Sequence, residues 1–289
     1  MSEVPAGKLA LIDADIVRYQ AAAVSDSVSY CHPMLMVTQR YKKDILADVD
    51  DAGEDPSLIE KTITPEPVEF CLHTIKVMVE TITEGADCTH ARLFMTGAGN
   101  YRETRAVTHP YKGTRVTEKP SHFEAAGDYL KGKYGAEVIE GAEADDALGY
   151  EHLLDPDNTV LCSTDKDLLM IPGIHFSWSS TSETQKYFDY PYNTPFEVTP
   201  YDADKWFYLQ LLMGDTVDNI KGVKGIGYKK ALKMLEDDGI TPYPYIVKEW
   251  YNIVRGAYEA AGLSQDFLRE NADLLWIQRS KDQLWEPPV

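Results

Sequence analysis

Apolar residues along this chain follow two rhythms. Short unbroken runs, Leu9-Ala10-Leu11-Ile12, residues 91 to 95 and Thr159-Val160-Leu161-Cys162, read as strands buried on both faces of a parallel sheet. Between the first two, Val68, Cys71, Leu72, Ile75, Val79 and Ile82 fall at spacings of three and four. That spacing predicts a helix, with Pro67 at its entry and Gly85 at its stop. A helix is also expected after Asp13, with Arg18 and Tyr19 near its start, and another from 206 to 213; residues 174 to 178 predict a further strand. Strands alternating with helices predict an α/β fold over residues 1 to 200, with a central, mostly parallel sheet flanked by helices. After the Tyr- and Pro-rich connection from 187 to 200, a helical region is expected over 201 to 289.

Two stretches break this rhythm. Residues 25 to 64 contain the acidic run from Asp48 to Asp55, interrupted by Gly53 and Pro56, and read as an exposed loop or mobile insert with no chemistry of its own. Residues 101 to 135 read as a partly helical bridge above a site.

With 289 residues and 44% hydrophobic content, the chain can bury a full core. No apolar run reaches the roughly 18 residues of a membrane span, and no signal pattern opens the chain, which predicts a cytoplasmic protein with no membrane partner. Cys31, Cys71, Cys88 and Cys162 are scattered without a CxxC pair, as suits structural thiols in a reducing compartment. The net charge of −19, alone, argues against a nucleic-acid binder. The acids are unevenly placed, however: many fall between 44 and 60, and others stand at strand ends, where metal ions can neutralise them.

Those strand-end acids carry the candidate chemistry. Asp13 and Asp15 follow the first strand, at the edge where open α/β sheets bind ligands. Gly141-Ala142-Glu143-Ala144-Asp145-Asp146-Ala147-Leu148 places three carboxylates at a helix start, Glu143 and Asp146 on one face and Asp145 about 100° round. Acids there either complement the helix dipole or serve a site. Asp165 and Asp167 follow the strand that ends at Cys162, and Asp215 and Asp218 stand three apart after the helix at 206 to 213. Tyr101-Arg102-Glu103-Thr104-Arg105 and Tyr111-Lys112-Gly113-Thr114-Arg115 interleave bases with aromatics, as either a solvated loop or a phosphate clamp. Finally, Gly222, Gly225 and Gly227, with Lys224, Lys229 and Lys230, spell a tight turn that presents backbone amides to phosphate.

Taken together, Leu11-Ile12-Asp13-Ala14-Asp15, the Tyr111 to Arg115 motif, the Gly141 to Asp146 cluster, Ser163-Thr164-Asp165-Lys166-Asp167 and the Gly214 to Ala231 hairpin resemble the flap endonuclease and 5′→3′ exonuclease family, in the family's order. The nearest likeness is to a stand-alone phage exonuclease. The resemblance implies a PIN/FEN-like fold with a C-terminal helix-hairpin-helix. It implies that Asp13, Glu143, Asp145, Asp146, Asp165, Asp167, Asp215 and Asp218 hold two metal ions, with Asp145 and Asp165 central to catalysis. Lys112 and Arg115 match bases that approach the scissile phosphate, and Tyr19 stands near where the family sets an aromatic against the terminal base. Gly222, Gly225 and Gly227, with Lys224, Lys229 and Lys230, match a hairpin that grips duplex backbone beside a potassium ion; Arg102 and Arg105 join the DNA-binding set. There is one departure: the family often has an Asp after the second strand, where this chain has Thr96.

Eight carboxylates in one pocket repel one another, and two divalent cations about 4 Å apart resolve this. An all-oxygen site suits Mg²⁺, with Mn²⁺ as substitute. The expected protein is therefore a monomeric, metal-dependent 5′→3′ exonuclease or flap endonuclease, acting in phage DNA replication, primer removal or DNA degradation. Its partners would be duplex or flapped DNA, RNA in RNA·DNA hybrids and replication proteins. The rival readings are a non-catalytic DNA-binding module with a degenerate site and a small ribonuclease, which the hairpin disfavours.

Overall fold

In a computed structural model, residues 7–114, 118–179, 187, 190–236 and 239–288 are described. The first apolar run forms β1 (Leu9–Asp13), buried along nearly its whole length, and leads directly into α1 (Ala14–Val24). The chain then makes β2 (Asp26–His32), β3 (Val37–Gln39), α2 (Lys42–Ala52) and β4 (Glu60–Pro65). The 3.6-residue rhythm appears as α3 (Val68–Gly85), which ends in β5 (His90–Thr96). Next come α4 (Tyr101–Arg105), α5 (Phe123–Tyr134), β6 (Glu137–Ile139), α6 (Ala144–Leu154) and β7 (Thr159–Cys162). A 3₁₀ turn over Lys166–Met170 precedes β8 (Gly173–Phe176) and β9 (Phe196–Val198). Thr199 caps α7 (Pro200–Met213), which starts earlier than the apolar pattern alone placed it. The short pair β10 (Gly214–Asp215) and β11 (Ile220–Lys221) follows, then α8 (Tyr228–Met234), α9 (Ile246–Ala260) and α10 (Gln265–Leu275).

The chain divides into two compact units, Met1–Ile16, Val79–Thr117 and Tyr134–Val289 in one, Val17–Met78 and Glu118–Lys133 in the other. The first holds a six-stranded sheet ordered β6-β5-β1-β7-β8-β9, in which only the β8–β9 pairing is antiparallel. This is the expected α/β class. Parallel strands leave all their carboxyl ends at one edge, so Asp13, Thr96 and the residues after Cys162 emerge side by side. Leu11, Phe94 and Leu161 of the sheet share one apolar core with Trp206, Phe207 and Leu211 of α7, Trp250 and Val254 of α9 and Ala272 of α10. Among the described residues no helix is long and apolar enough to cross a membrane.

The second unit overturns the reading of residues 25 to 64 as a loop. They form an antiparallel sheet ordered β3-β2-β4, with α2 packed on it. Ile45 and Val49, one helical turn apart, are buried, while Asp50 and Asp51 face solvent. Gly53, at φ 69°, closes the helix in the left-handed conformation that glycine tolerates best. The acidic run is thus the wet face of a short amphipathic helix, not a disordered tract.

Two histidines are locked inside the first unit. His152 on α6 and His175 on β8 are 0% and 5% exposed, with ring centroids 6.4 Å apart. His152 Nδ1 lies 2.7 Å from Thr159 Oγ1, and His175 Nε2 lies 2.8 Å from Ile171 O. Burial pushes His152 down to about 4 and His175 down to about 3. Both therefore fold neutral, while the unfolded chain takes up protons below about pH 6.5. Their stabilising contribution is complete above that pH and is lost as pH falls toward 4, by up to about 1.4 kcal/mol per pH unit for each ring. The difference in urea-unfolding free energy between the parent protein and His175→Phe, followed from pH 7 to pH 5, should show this slope for one ring, since every other titrating group is common to both. A slope unchanged in that variant would assign the acid sensitivity elsewhere.

Candidate active site

The carboxyl edge of the sheet gathers the acids. Asp13 at the end of β1 is 3% exposed; its Oδ1 accepts from the amides of Asp15 and Ile16 at 3.1 and 3.2 Å. Its Oδ2 accepts from Ser163 Oγ at 2.9 Å, which ties β1 to the turn after β7. Asp165 caps the 3₁₀ turn, accepting from Asp167 N at 2.9 Å. Glu143 is the N-cap of α6, and its backbone amide is held by Asp146 Oδ2 at 3.1 Å in a capping box.

Thr96 occupies the place after the second strand. Its amide donates to Asp15 Oδ2 at 2.9 Å, and its Oγ1 accepts from Ala144 N at 3.0 Å. It joins β5 to the start of α6 through one neutral hydrogen bond. Asp15 is in turn directed at the Thr96 backbone.

The carboxylates fall into two electrical groups. Burial first, then the charges of Asp15 and Asp165, push Asp13 up to about 7. Burial and then Asp167 push Asp165 up to about 7. Asp145 is held well above the carboxylate range by burial, followed by Asp13, Asp165 and Glu143. These three repel one another with too little positive charge nearby. Glu143 and Asp215 belong to the other group. Burial opposes their ionisation, but Arg102 and Lys112 hold Glu143 below its usual range, and Lys166 does the same for Asp215.

Lys112 stands in a turn at φ 53°, with its amide on Asp218 O at 3.0 Å and its ammonium against Glu143 Oε1. Asn219 Nδ2 donates to Pro110 O at 2.9 Å, so the 110 to 113 loop is clasped to the turn that carries Asp215 and Asp218. Tyr111 belongs to the motif read as a clamp with stacking rings. Its hydroxyl instead lies between Glu143 Oε2 and Asp218 Oδ2, at 3.0 and 2.9 Å, a bridge inside the site. Asp145, Asp165, Asp167 and Asp218 line one cleft with Lys112 and Tyr111. Arg115 lies outside the described residues.

Two expected roles are corrected by geometry. Asp146, expected among the metal ligands, is 0% exposed and both its oxygens face inward. Arg102 Nη1 donates to Oδ2 at 2.6 Å and Nη2 to Oδ1 at 2.9 Å, and Gln278 N adds a third bond at 3.0 Å. Arg102, expected on the DNA face, is 1% exposed, and it also donates to the carbonyls of Leu274 and Trp276 at 3.0 and 2.6 Å. The pair is an internal lock. At Gly222 a Cβ would sit 2.2 Å from Met213 C and 2.3 Å from Gly214 N, where two backbones cross. Gly225, at φ 80°, and Gly227 have open space where a side chain would be, and Lys224, Lys229 and Lys230 are exposed beside them. Arg105 is half exposed, with Nη1 3.5 Å from Asp273 Oδ2. Tyr19, in the second unit, packs edge-on to Phe123.

Lys166 went unassigned in the sequence. Its ammonium lies 3.0 Å from Asp167 Oδ1 and 2.7 Å from Asp215 Oδ2, joining the turn after β7 to the turn after α7. The signal was present: a base between two acids, Asp165-Lys166-Asp167. Gln210 completes the group, its Nε2 donating to Asp167 Oδ1 at 2.6 Å.

Among the described residues no three His, Cys, Asp or Glu side chains already converge as the ligands of a metal ion. The donor chemistry nevertheless fits a hard divalent cation. Asp13, Asp145 and Asp165 are oxygen donors that repel one another when ionised, and a bound cation would favour their ionised form without rearranging the sheet.

Fold and site thus define an α/β protein with an acidic cleft at the carboxyl edge of a parallel sheet. Over 110 residues the chain is 33% identical to a 5′-3′ exonuclease of Mycoplasma pneumoniae, which covers 35% of this chain and 36% of that protein, about a third of its length. Over that third of the chain the match agrees with the resemblance read from the motifs. No protein-family model matches the chain. A crystal structure of the bacteriophage T5 D15 flap endonuclease with DNA and metal ions aligns over 92% of this chain and 97% of that one, at 15% identity and a TM-score of 0.47. The catalytic core of Rad2 with a DNA substrate aligns over 90% and 70%, at 15% identity and 0.37. At these scores the likeness in three dimensions is loose.

Proposed function

We propose that this chain is a 5′→3′ nuclease, dependent on divalent metal, that hydrolyses phosphodiester bonds in duplex or flapped DNA and leaves 5′-phosphates. The single observation that carries the reading is the trio Asp13, Asp145 and Asp165, gathered from three elements at one sheet edge and left without enough positive charge. Those three would hold Mg²⁺, with Glu143, Asp167, Asp215 and Asp218 around them; Asp146 is withdrawn into its Arg102 pair. A pair of such ions supplies an activated water and stabilisation of the leaving 3′-oxygen. Lys112, held by Glu143 and by the Asp218 carbonyl, would offset charge that builds on the phosphate. Lys166 and Tyr111 keep the acids of separate turns in one arrangement and so position the set. The test is cleavage of 5′-labelled duplex, 5′-flap, nicked and RNA·DNA hybrid substrates with Mg²⁺ and with EDTA. Metal-dependent release of 5′-terminal products supports the reading; binding without cleavage in every metal would leave a DNA-binding module.

The exposed lysines of the 222 to 230 hairpin would contact duplex backbone, with K⁺ as the companion ion beside the turn. Phosphate contacts release counterions, each worth a slope of about 0.9 in log K against log salt. Replacing Lys229 and Lys230 by Ala should weaken duplex binding equally across sequences and reduce that slope by about 2. An unchanged slope would remove the hairpin from the interface.

A further inference from the structure

The segment between α1 and α3 takes no part in the acidic cleft, yet it carries Arg40-Tyr41-Lys42-Lys43, four exposed residues in a chain of net charge −19. They border a cavity of about 400 Å³ in the second unit, lined by Tyr30, Arg40, Tyr41, Lys42 and Lys61 with Asp26 as the one acid. That volume lies in the usual range of ligand pockets. Tyr30 and Lys61 face each other directly across β2 and β4. Among the described residues Arg40, Lys42 and Lys43 enter no ion pair. Arg40 and Lys43 only lie over the Tyr41 ring, each at 5.7 Å from its centroid. Lys61 does have a partner, Glu118 at 3.0 Å, but both side chains are largely in water, where such a pair is weak and exchangeable. Tyr41 also begins α2 without a side-chain cap, which leaves the first amides of an 11-residue helix turned toward the same end.

We propose that this groove binds single-stranded nucleic acid, with phosphates against Arg40, Lys42 and Lys61 and bases stacked on Tyr41 and Tyr30. Uncommitted bases alone would suit any polyanion. The tyrosines decide the class, because Tyr41 is 55% exposed and offers a ring face that a nucleobase can cover and an acidic peptide cannot. Asp26, whose Oδ2 accepts from Ser121 N at 3.0 Å, offsets one charge of the three bases Arg40, Lys42 and Lys61 and leaves the groove positive. None of these residues lines the acidic cleft, and binding here does not depend on cleavage there.

The experiment is fluorescence anisotropy of a labelled oligothymidine strand and of a blunt duplex, both in EDTA, so that binding is read without catalysis. Arg40→Glu/Lys42→Glu should weaken strand binding at least tenfold while duplex affinity stays within twofold. Its slope against log salt should fall by about 1.4, at about 0.7 per phosphate contact on a single strand. Tyr41→Ala should cost roughly tenfold with the salt slope unchanged, since stacking carries no counterions. Circular dichroism and thermal midpoints equal to those of the parent protein establish that the exposed substitutions leave the fold intact. Strand affinity unchanged by the charge reversal would overturn the proposal. So would an equal fall for strand and duplex, or polyglutamate competing as well as the oligonucleotide.

Discussion

Asp165→Ala and Asp145→Ala should each abolish Mg²⁺-dependent cleavage while leaving the protein folded. The loss should exceed the roughly 100-fold that removal of a metal's outer hydrogen-bond partner can cost, because here an inner ligand goes. Stability should respond in the opposite sense to activity. Asp13, Asp145 and Asp165 are pushed up by burial and by neighbouring acids, so the metal-free fold carries their repulsion. Deleting one of them should raise the thermal midpoint of the metal-free protein, not lower it. It should also shrink the further stabilisation that Mg²⁺ gives, which follows mass action on the folded state. Calorimetry with EDTA and with Mg²⁺, beside single-turnover cleavage, measures both. Cleavage within about tenfold of the parent protein, with an undiminished Mg²⁺ shift, would mean that the metal is held elsewhere.

Arg102→Ala should be the most destabilising single change considered, at about 3–5 kcal/mol, the usual cost of leaving one member of a buried ion pair alone. The guanidinium meets Asp146 through two hydrogen bonds and also serves the carbonyls of Leu274 and Trp276, all inside the protein. Removing it strands a buried carboxylate and two acceptors together. Arg102→Met/Asp146→Leu should recover much of the loss, since an apolar pair of similar volume leaves no charge unpaired. Urea unfolding of the two single variants and the double variant forms the cycle. If Arg102 were instead a DNA contact, Arg102→Ala would keep its stability and lose salt-dependent affinity. A loss below about 1 kcal/mol would reject the internal lock.

Several parts of this molecule were legible because they are local. The Val68 to Ile82 spacing gave a helix that ends at Gly85, since a 3.6-residue period is set by neighbours along the chain. The runs at Leu9, Ala91 and Thr159 became β1, β5 and β7, because a strand covered on both faces has no polar alternation to confuse it. Acids placed just after such runs had to emerge at one edge once the strands were parallel, so the gathering of Asp13, Asp145 and Asp165 was foreseeable. The insert was misread because charge density was taken for disorder. Two buried aliphatics in α2 suffice when a sheet supplies the surface they pack on, and that sheet is invisible in a window of eleven residues.

By itself the sequence determined the buried strands β1, β5 and β7, the helix α3 and the sheet edge at which carboxylates appear, which follow from short-range periodicity, and the motifs that carry the family resemblance. Only the tertiary structure decided which charges serve a site and which serve the fold. Arg102 and Asp146 sit in motifs that look like clamp and ligand, and they are consumed by each other across 44 positions. Lys166 and Tyr111 are drawn into the acidic cleft by partners 49 and 107 positions away. A charged side chain has the same letter in either role. Its burial, and the distance to the opposite charge, set its energy, and both exist only after the chain has closed on itself.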